Sequence, residues 1–326
     1  MKITRREFAV QTGAAAACGL WAVQAASAQT RDRRFPLIID THQHLWDLEK
    51  FKLAWLDGAP EVLRQSYRTQ EYRQATEGLN VQAIYMEVDV DPAQHVAEAE
   101  HVVNLCRSDE HPTVAAVVGG RPASPDFADY VRRLKQFPEV KGVRQVLHGA
   151  TPQGYCLQDD FVRGIKLLGE NGLSFDLCLR PRELSDGAKL AEQLPEVRFI
   201  VDHCGNADPK AFSASPGDEK PWHDADAWRR DMESLARQKN TICKISGIVA
   251  RAPQGWTAEG LAPIVNHCLD TFGPDRVVFG GDWPVCLLGA PLRQWIDALG
   301  EIIAERPAAQ QNQLWHENAQ RLYLNA

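Results

Sequence analysis

Leu37-Ile38-Ile39-Asp40-Thr41-His42-Gln43-His44 is the stretch that decides how this chain is read. A short β-branched run passes, with no turn residue between, into two alternate histidines. Successive side chains of a strand point to opposite faces, so His42 and His44 leave the same face. Two imidazoles at that spacing can grip one metal ion. Seven further runs of the same kind follow, at residues 83–88, 114–118, 140–147, 173–179, 197–201, 241–245 and 277–279. Between them lie stretches of helical periodicity. Residues 92–106 place Val96, Ala99, Val102, Val103 and Cys106 on one face, and 127–137, 160–170, 182–194, 225–239 and 258–272 repeat the pattern. Strand and helix in alternation predict parallel strands joined by crossover helices. Eight such units favour an α/β chain closed as a (β/α)8 TIM barrel over an open sheet. No glycine-rich nucleotide fingerprint is present to support the open alternative. Two long connections, 46–72 and 207–226, are expected to act as lids or binding loops.

In such a barrel the chemistry sits at the C-terminal ends of the strands. The polar residues that close the runs are therefore the candidates. The first run ends on His42 and His44, and the second on Glu87 and Asp89. The third supplies Arg121, the fourth Arg144 and His148, the fifth Asp176 and Arg180. The sixth ends Asp202-His203-Cys204-Gly205, the seventh gives Lys244 and Ser246, and the eighth closes Gly280-Gly281-Asp282-Trp283-Pro284. Each has an ordinary structural reading when taken alone. A strand-end aspartate caps helices, a single histidine is commonly a hydrogen-bonded core residue, and Arg144 can simply pair with Glu87 or Asp176. Their convergence on one mouth argues for function. Arg121, Arg144 and Lys244 together suggest a substrate carrying carboxylates or several hydroxyls.

Bulk properties narrow the classes. The chain has 326 residues, 44% hydrophobic and 24% charged, with a formal net charge of −7. That is enough apolar material for a large core, and the acidic balance excludes a nucleic-acid partner. Of eight cysteines one, Cys18, precedes residue 30, and no CxxC pair occurs. A disulfide scaffold is therefore not expected; buried thiols are.

The first 28 residues read as an address rather than as structure. Thr4-Arg5-Arg6-Glu7-Phe8 precedes an uncharged, alanine-rich stretch that closes on Ala26-Ser27-Ala28. A positive start, a mildly apolar middle and an A-x-A end make a cleavable signal, and the arginine pair resembles a twin-arginine export signal. Cleavage after Ala28 leaves a single barrel domain, 29–326, exported by the twin-arginine machinery to the periplasm or beyond. A stable membrane anchor is not expected.

These residues resemble the amidohydrolase superfamily, and within it the amidohydrolase-related branch that holds sugar lactonases and 2-pyrone-4,6-dicarboxylate lactonase. The resemblance is carried by residues 40–47 and 280–284 at the two ends, and by Lys141-Gly142-Val143-Arg144, Asp202-His203-Cys204-Gly205 and Cys243-Lys244-Ile245-Ser246-Gly247 between them. It implies that His42, His44 and His203 are metal ligands or carbonyl polarisers and that Asp282 is the catalytic base, the same four residues holding any metal. It also implies that Arg121, Arg144, His148 and Lys244 bind substrate, with Trp283 beside them. The fifth run carries Asp176 where many relatives have histidine, and the only nearby lysine on the fourth, Lys141, lies at its start, so a binuclear centre is not expected. One divalent ion, zinc or manganese, or a metal-free route through Asp282, both fit this pattern. The expected activity is hydrolysis of a lactone, either a sugar acid lactone or a pyrone carboxylate, the substrate being a small anionic or polyhydroxylated molecule. The alternatives are a metal-dependent decarboxylase of a carboxylated aromatic and a non-catalytic periplasmic binder of organic acids.

Overall fold

The computed structural model describes residues 37–149, 151–213 and 220–325. The proposed signal, 1–28, lies outside them.

All eight apolar runs form strands: β1 Ile38–Gln43, β2 Val81–Met86, β3 Thr113–Gly119, β4 Val140–Val146, β5 Ser174–Cys178, β6 Phe199–Val201, β7 Thr241–Ile245 and β8 Val277–Phe279. They lie in one sheet in chain order, every neighbouring pair parallel. The sheet curls until its first and last strands meet. Gln43 bridges Trp283, the His44 amide donates to the Trp283 carbonyl at 2.8 Å, and Thr41 Oγ1 donates to the Phe279 carbonyl at 2.6 Å. The result is a barrel-like α/β fold of eight parallel strands, as the alternation predicts.

A helix follows each strand: α1 Thr69–Ala75, α2 His95–Cys106, α3 Phe127–Leu134, α4 Asp159–Glu170, α5 Leu184–Gln193, α6 Ala225–Arg237, α7 Ala258–Phe272 and α8 Leu292–Ile302. Two of these depart from the sequence reading. α1 emerges inside what reads as loop, because its seven residues bury only Tyr72 and so show little periodicity. α8 buries Leu292, Trp295, Ile296 and Leu299 at the spacing of a helical face, a pattern the sequence reading left unassigned.

The core has two layers. One lies between sheet and helices and includes Phe161, Phe175, Trp228 and Trp295. The other fills the barrel: Ile39, Ile84, Met86, Val117, Ile200, Ile242 and Val278 point inward, and Leu322 and Tyr323 from the chain's end pack on them. Period two then dictates what lies above. Ile200 and Asp202 share a face, as do Ile242 and Lys244, so a charged layer sits on the apolar one, toward the C-terminal mouth. Among the described residues no helix is long and apolar enough to cross a membrane. Seven cysteines are free, six of them buried and Cys106 half-buried, as expected of core thiols.

Candidate active site

The mouth is shaped by backbone that L-residues rarely adopt. After β6 the chain makes a left-handed turn in which His203, Cys204, Gly205 and Asn206 have φ of 56°, 51°, 66° and 55°. Asp282 and Asp89, after β8 and β2, also sit at positive φ, 54° and 50°. For residues bearing a Cβ this region costs roughly 1–2 kcal/mol each. Such strain is kept where the surroundings fix it, commonly at functional sites. Here it aims His203 and Asp282 into the barrel mouth. Glycine makes the approach feasible: a Cβ on Gly247 (φ 72°) would lie 2.3 Å from His203 Nδ1, and one on Gly281 would lie 2.5 Å from Asp40 Oδ2. Asp40 itself is structural. It accepts from the amides of His42 and Gly281 and from Tyr72 Oη, fastening β1 to β8.

The four residues expected to do the chemistry come together. Asp282 Oδ1 stands 3.5 Å from His44 Nε2 and 3.7 Å from His42 Nε2. The His42 ring lies 4.8 Å from that of His44 and 4.4 Å from that of His203, centre to centre. Hydrogen-bond partners set the tautomers. The Met86 carbonyl can only accept, so His44 Nδ1, 3.0 Å away, carries a hydrogen, and Nε2 faces Asp282. The guanidinium of Arg144 can only donate, so His42 Nε2 accepts from it at 3.2 Å. His203 Nδ1 pairs with Ser246 Oγ at 3.0 Å.

Burial sets the charges. It is the main force holding His42 well below the usual histidine range, helped by the Lys244 charge, and it lowers His203 as well. Both rings are neutral. For Asp282 burial pushes upward, but His203, His44 and Arg144 outweigh it and hold the carboxyl below its ordinary value. It is ionised.

Beneath lies a ladder of buried charge. Arg144 Nε donates to Glu87 Oε1 at 2.6 Å, and its Nη1 reaches Asp202 Oδ2 at 3.3 Å. Lys244 Nζ lies 2.7 Å from Asp176 Oδ2 and 3.0 Å from Asp202 Oδ1. Four buried carboxyl groups (Glu87, Asp176, Asp202, Asp282) thus face two buried cations.

That excess of acid, with an imidazole nitrogen facing a carboxylate across 3.5 Å, fits a divalent cation. His42, His44 and Asp282 form one mutually close donor set, and His42, Asp202 and His203 form another. Two imidazoles and a carboxylate suit zinc or manganese. A plausible mononuclear metal site is therefore present.

The cavity over this cluster has a volume of about 330 Å³. Five of the nine candidates, His44, Arg144, His148, His203 and Asp282, line it. The other four stand elsewhere. His42 is fully buried and does not line the cavity, although its ring packs against those of His44 and His203. Lys244 is fully buried below the floor, its charge spent on Asp176 and Asp202. Arg121 does not line the cavity; its guanidinium lies 2.8 Å from Asp89, which does. Trp283 turns away from the cavity to pack edge-on against Tyr67 and Tyr72. Sequence reasoning missed Trp46, Trp55 and Arg251, which also line the cavity. Trp46 stands in the opening motif and was readable there. Trp55 and Arg251 lie in loop turns, Ala54–Gly58 and Val249–Arg251, where no periodicity marks them.

Comparison with known proteins agrees with this geometry. L-fucono-1,5-lactonase of Burkholderia multivorans is 28% identical over 296 residues, covering 88% of this chain and 96% of that protein. A crystal structure of an amidohydrolase from Burkholderia multivorans with bound HEPES superposes with a TM-score of 0.75 at 25% identity, covering 88% of this chain and 99% of the other. A second crystal form of an amidohydrolase from that organism, with bound zinc, gives 0.75 at 24% identity over the same shares and supports the fold. Residues 39–324 match the amidohydrolase family model, and the chain belongs to that family of enzymes.

Proposed function

We propose that this protein is an exported lactone hydrolase in which Asp282 activates water against the carbonyl carbon of a cyclic ester. The observation that carries the reading is an ionised, buried carboxylate set among neutral imidazoles at the floor of a cavity large enough for one small ring. The similarity to the L-fucono-1,5-lactonase of Burkholderia multivorans supports the same class.

Asp282 takes a proton from water as the oxygen attacks the carbonyl carbon. His203, which faces the same cavity, stabilises the charge that develops on the carbonyl oxygen. The ring C–O bond then breaks, and the proton held by Asp282 passes to the leaving alkoxide, so a hydroxy acid is released and the carboxylate is restored. A zinc or manganese ion on His42, His44 and Asp282 would supply Lewis-acid polarisation of the carbonyl when bound. Export rests on the arginine pair and the Ala26-Ser27-Ala28 end of residues 1–28.

Purified 29–326 protein, screened against lactones by proton release with its metal content measured alongside, tests the reading. Turnover of lactones supports it. Failure to open any lactone, with CO₂ released from a carboxylated aromatic instead, overturns it.

A further inference from the structure

The cavity wall above the reacting cluster is mostly carbon. Trp46, Trp55, Val88, Val146 and Val285 line it. The two indoles offer no donor there: Trp46 Nε1 donates to the Gln65 carbonyl at 2.5 Å and Trp55 Nε1 to the Val88 carbonyl at 2.8 Å. A polyhydroxylated ring would leave its hydroxyls unpaired against such a wall, at a cost for each.

The charges in the lining differ in how far they are already matched. Arg144 is spent on Glu87 and Asp202, and Asp89 on Arg121. Arg251 is not. Among the described residues no carboxylate lies within ion-pair distance of it. Its polar contact is a long one, Nη2 to Asn206 Oδ1 at 3.4 Å, and its guanidinium rests on the face of Trp222, 4.8 Å from the ring centre. Stacking orients the guanidinium without consuming its donors.

We propose that Arg251 is the specificity-determining residue of this cavity and selects a lactone with a mainly apolar ring that carries one anionic group, over a neutral polyhydroxylated one. The inference rests on the lactone reading for its substrate, but its anion site can be tested without turnover. Benzoate and its neutral counterpart benzamide, titrated against the 29–326 protein by quenching of tryptophan fluorescence, are the probes. Benzoate binds more tightly than benzamide to the wild type. Its Kd rises at least tenfold in Arg251→Met, benzamide binding moves by less than twofold, and Arg251→Lys recovers most of the loss. In hydrolysis, an aryl lactone bearing a carboxylate has a higher kcat/KM than a neutral sugar lactone, and Arg251→Met raises its KM at least tenfold while kcat falls by less than threefold. Equal binding of benzoate and benzamide, indifference of benzoate to Arg251→Met, or preference for the neutral sugar lactone overturns the proposal. Discrimination between the two probes with no lactone opened supports the Arg251 site and overturns lactone hydrolysis instead.

Discussion

At the scale of single residues, burial sets the protonation states that the proposed mechanism uses. His42 and His203 are neutral and Asp282 is ionised, each displaced from its ordinary value in that sense. The pH dependence follows. A base must be deprotonated, so activity is present above the Asp282 value, which lies below the ordinary 3.8, and is lost as pH falls through it. A profile of kcat/KM against pH is expected to place its acid limb below pH 3.8. An acid limb above that value would contradict Asp282 as the base. Glu98 offers a second test of burial. Its carboxyl is pushed up to about 7 from 4.5, by burial first and then by the Glu87 charge. A folded value above the unfolded one stabilises fully below the unfolded value, and that contribution is lost as pH rises through the folded one. Glu98→Gln keeps a neutral group at every pH. Thermal unfolding should therefore show the variant gaining on the wild type as pH rises from about 4.5 to about 7, and a constant Tm difference would contradict the assignment.

At the scale of elements, strand ends and the turns after them do the positioning. The left-handed turn after β6 presents His203, and Gly247 after β7 leaves room for its ring. Gly247→Ala is expected to cost roughly 1–2 kcal/mol from its backbone conformation alone, and to lower kcat at least tenfold by displacing His203. Gly172 is the control, with the same backbone sign (φ 73°) and nothing within 4 Å of a Cβ. Gly172→Ala should lose comparable stability and keep its activity; equal kcat in the two variants would remove the steric role of Gly247. This is also the scale at which sequence is most and least legible. All eight strands are visible because inward-facing strands read as unbroken apolar runs. α1 is hidden by its single buried residue, Tyr72. His42, His44, His203 and Asp282 were readable because they sit next to those runs. Lys244 and Arg121 are the right residue types at the right strand ends, but which of two carboxylates a cation faces depends on packing across the barrel. Trp283 follows Asp282 directly, yet its side chain packs on Tyr67 and Tyr72. Arg251 and Trp55 carry no local pattern, and only the folding of loops over the mouth brings them in.

At the scale of the whole molecule, the barrel segregates its duties. The lower interior is closed by apolar side chains with Leu322 and Tyr323 as a plug, the middle carries the charge ladder, and the upper mouth carries the candidate site. The proposed leader adds a consequence for the chain's destination. Replacing Arg5 and Arg6 together by lysine should leave uncleaved protein in the cytoplasm, seen as a full-length band in fractionated cells. Unchanged export of the variant would remove the twin-arginine reading. The central claim is the role of Asp282, and Asp282→Asn isolates it, because the amide keeps the shape and gives up the charge. Measured on whichever lactone the wild type opens fastest, with Tm followed in parallel, kcat should fall by about 10²–10⁴-fold while the protein stays folded. A folded Asp282→Asn variant that retains lactone turnover within tenfold of the wild type would contradict the account.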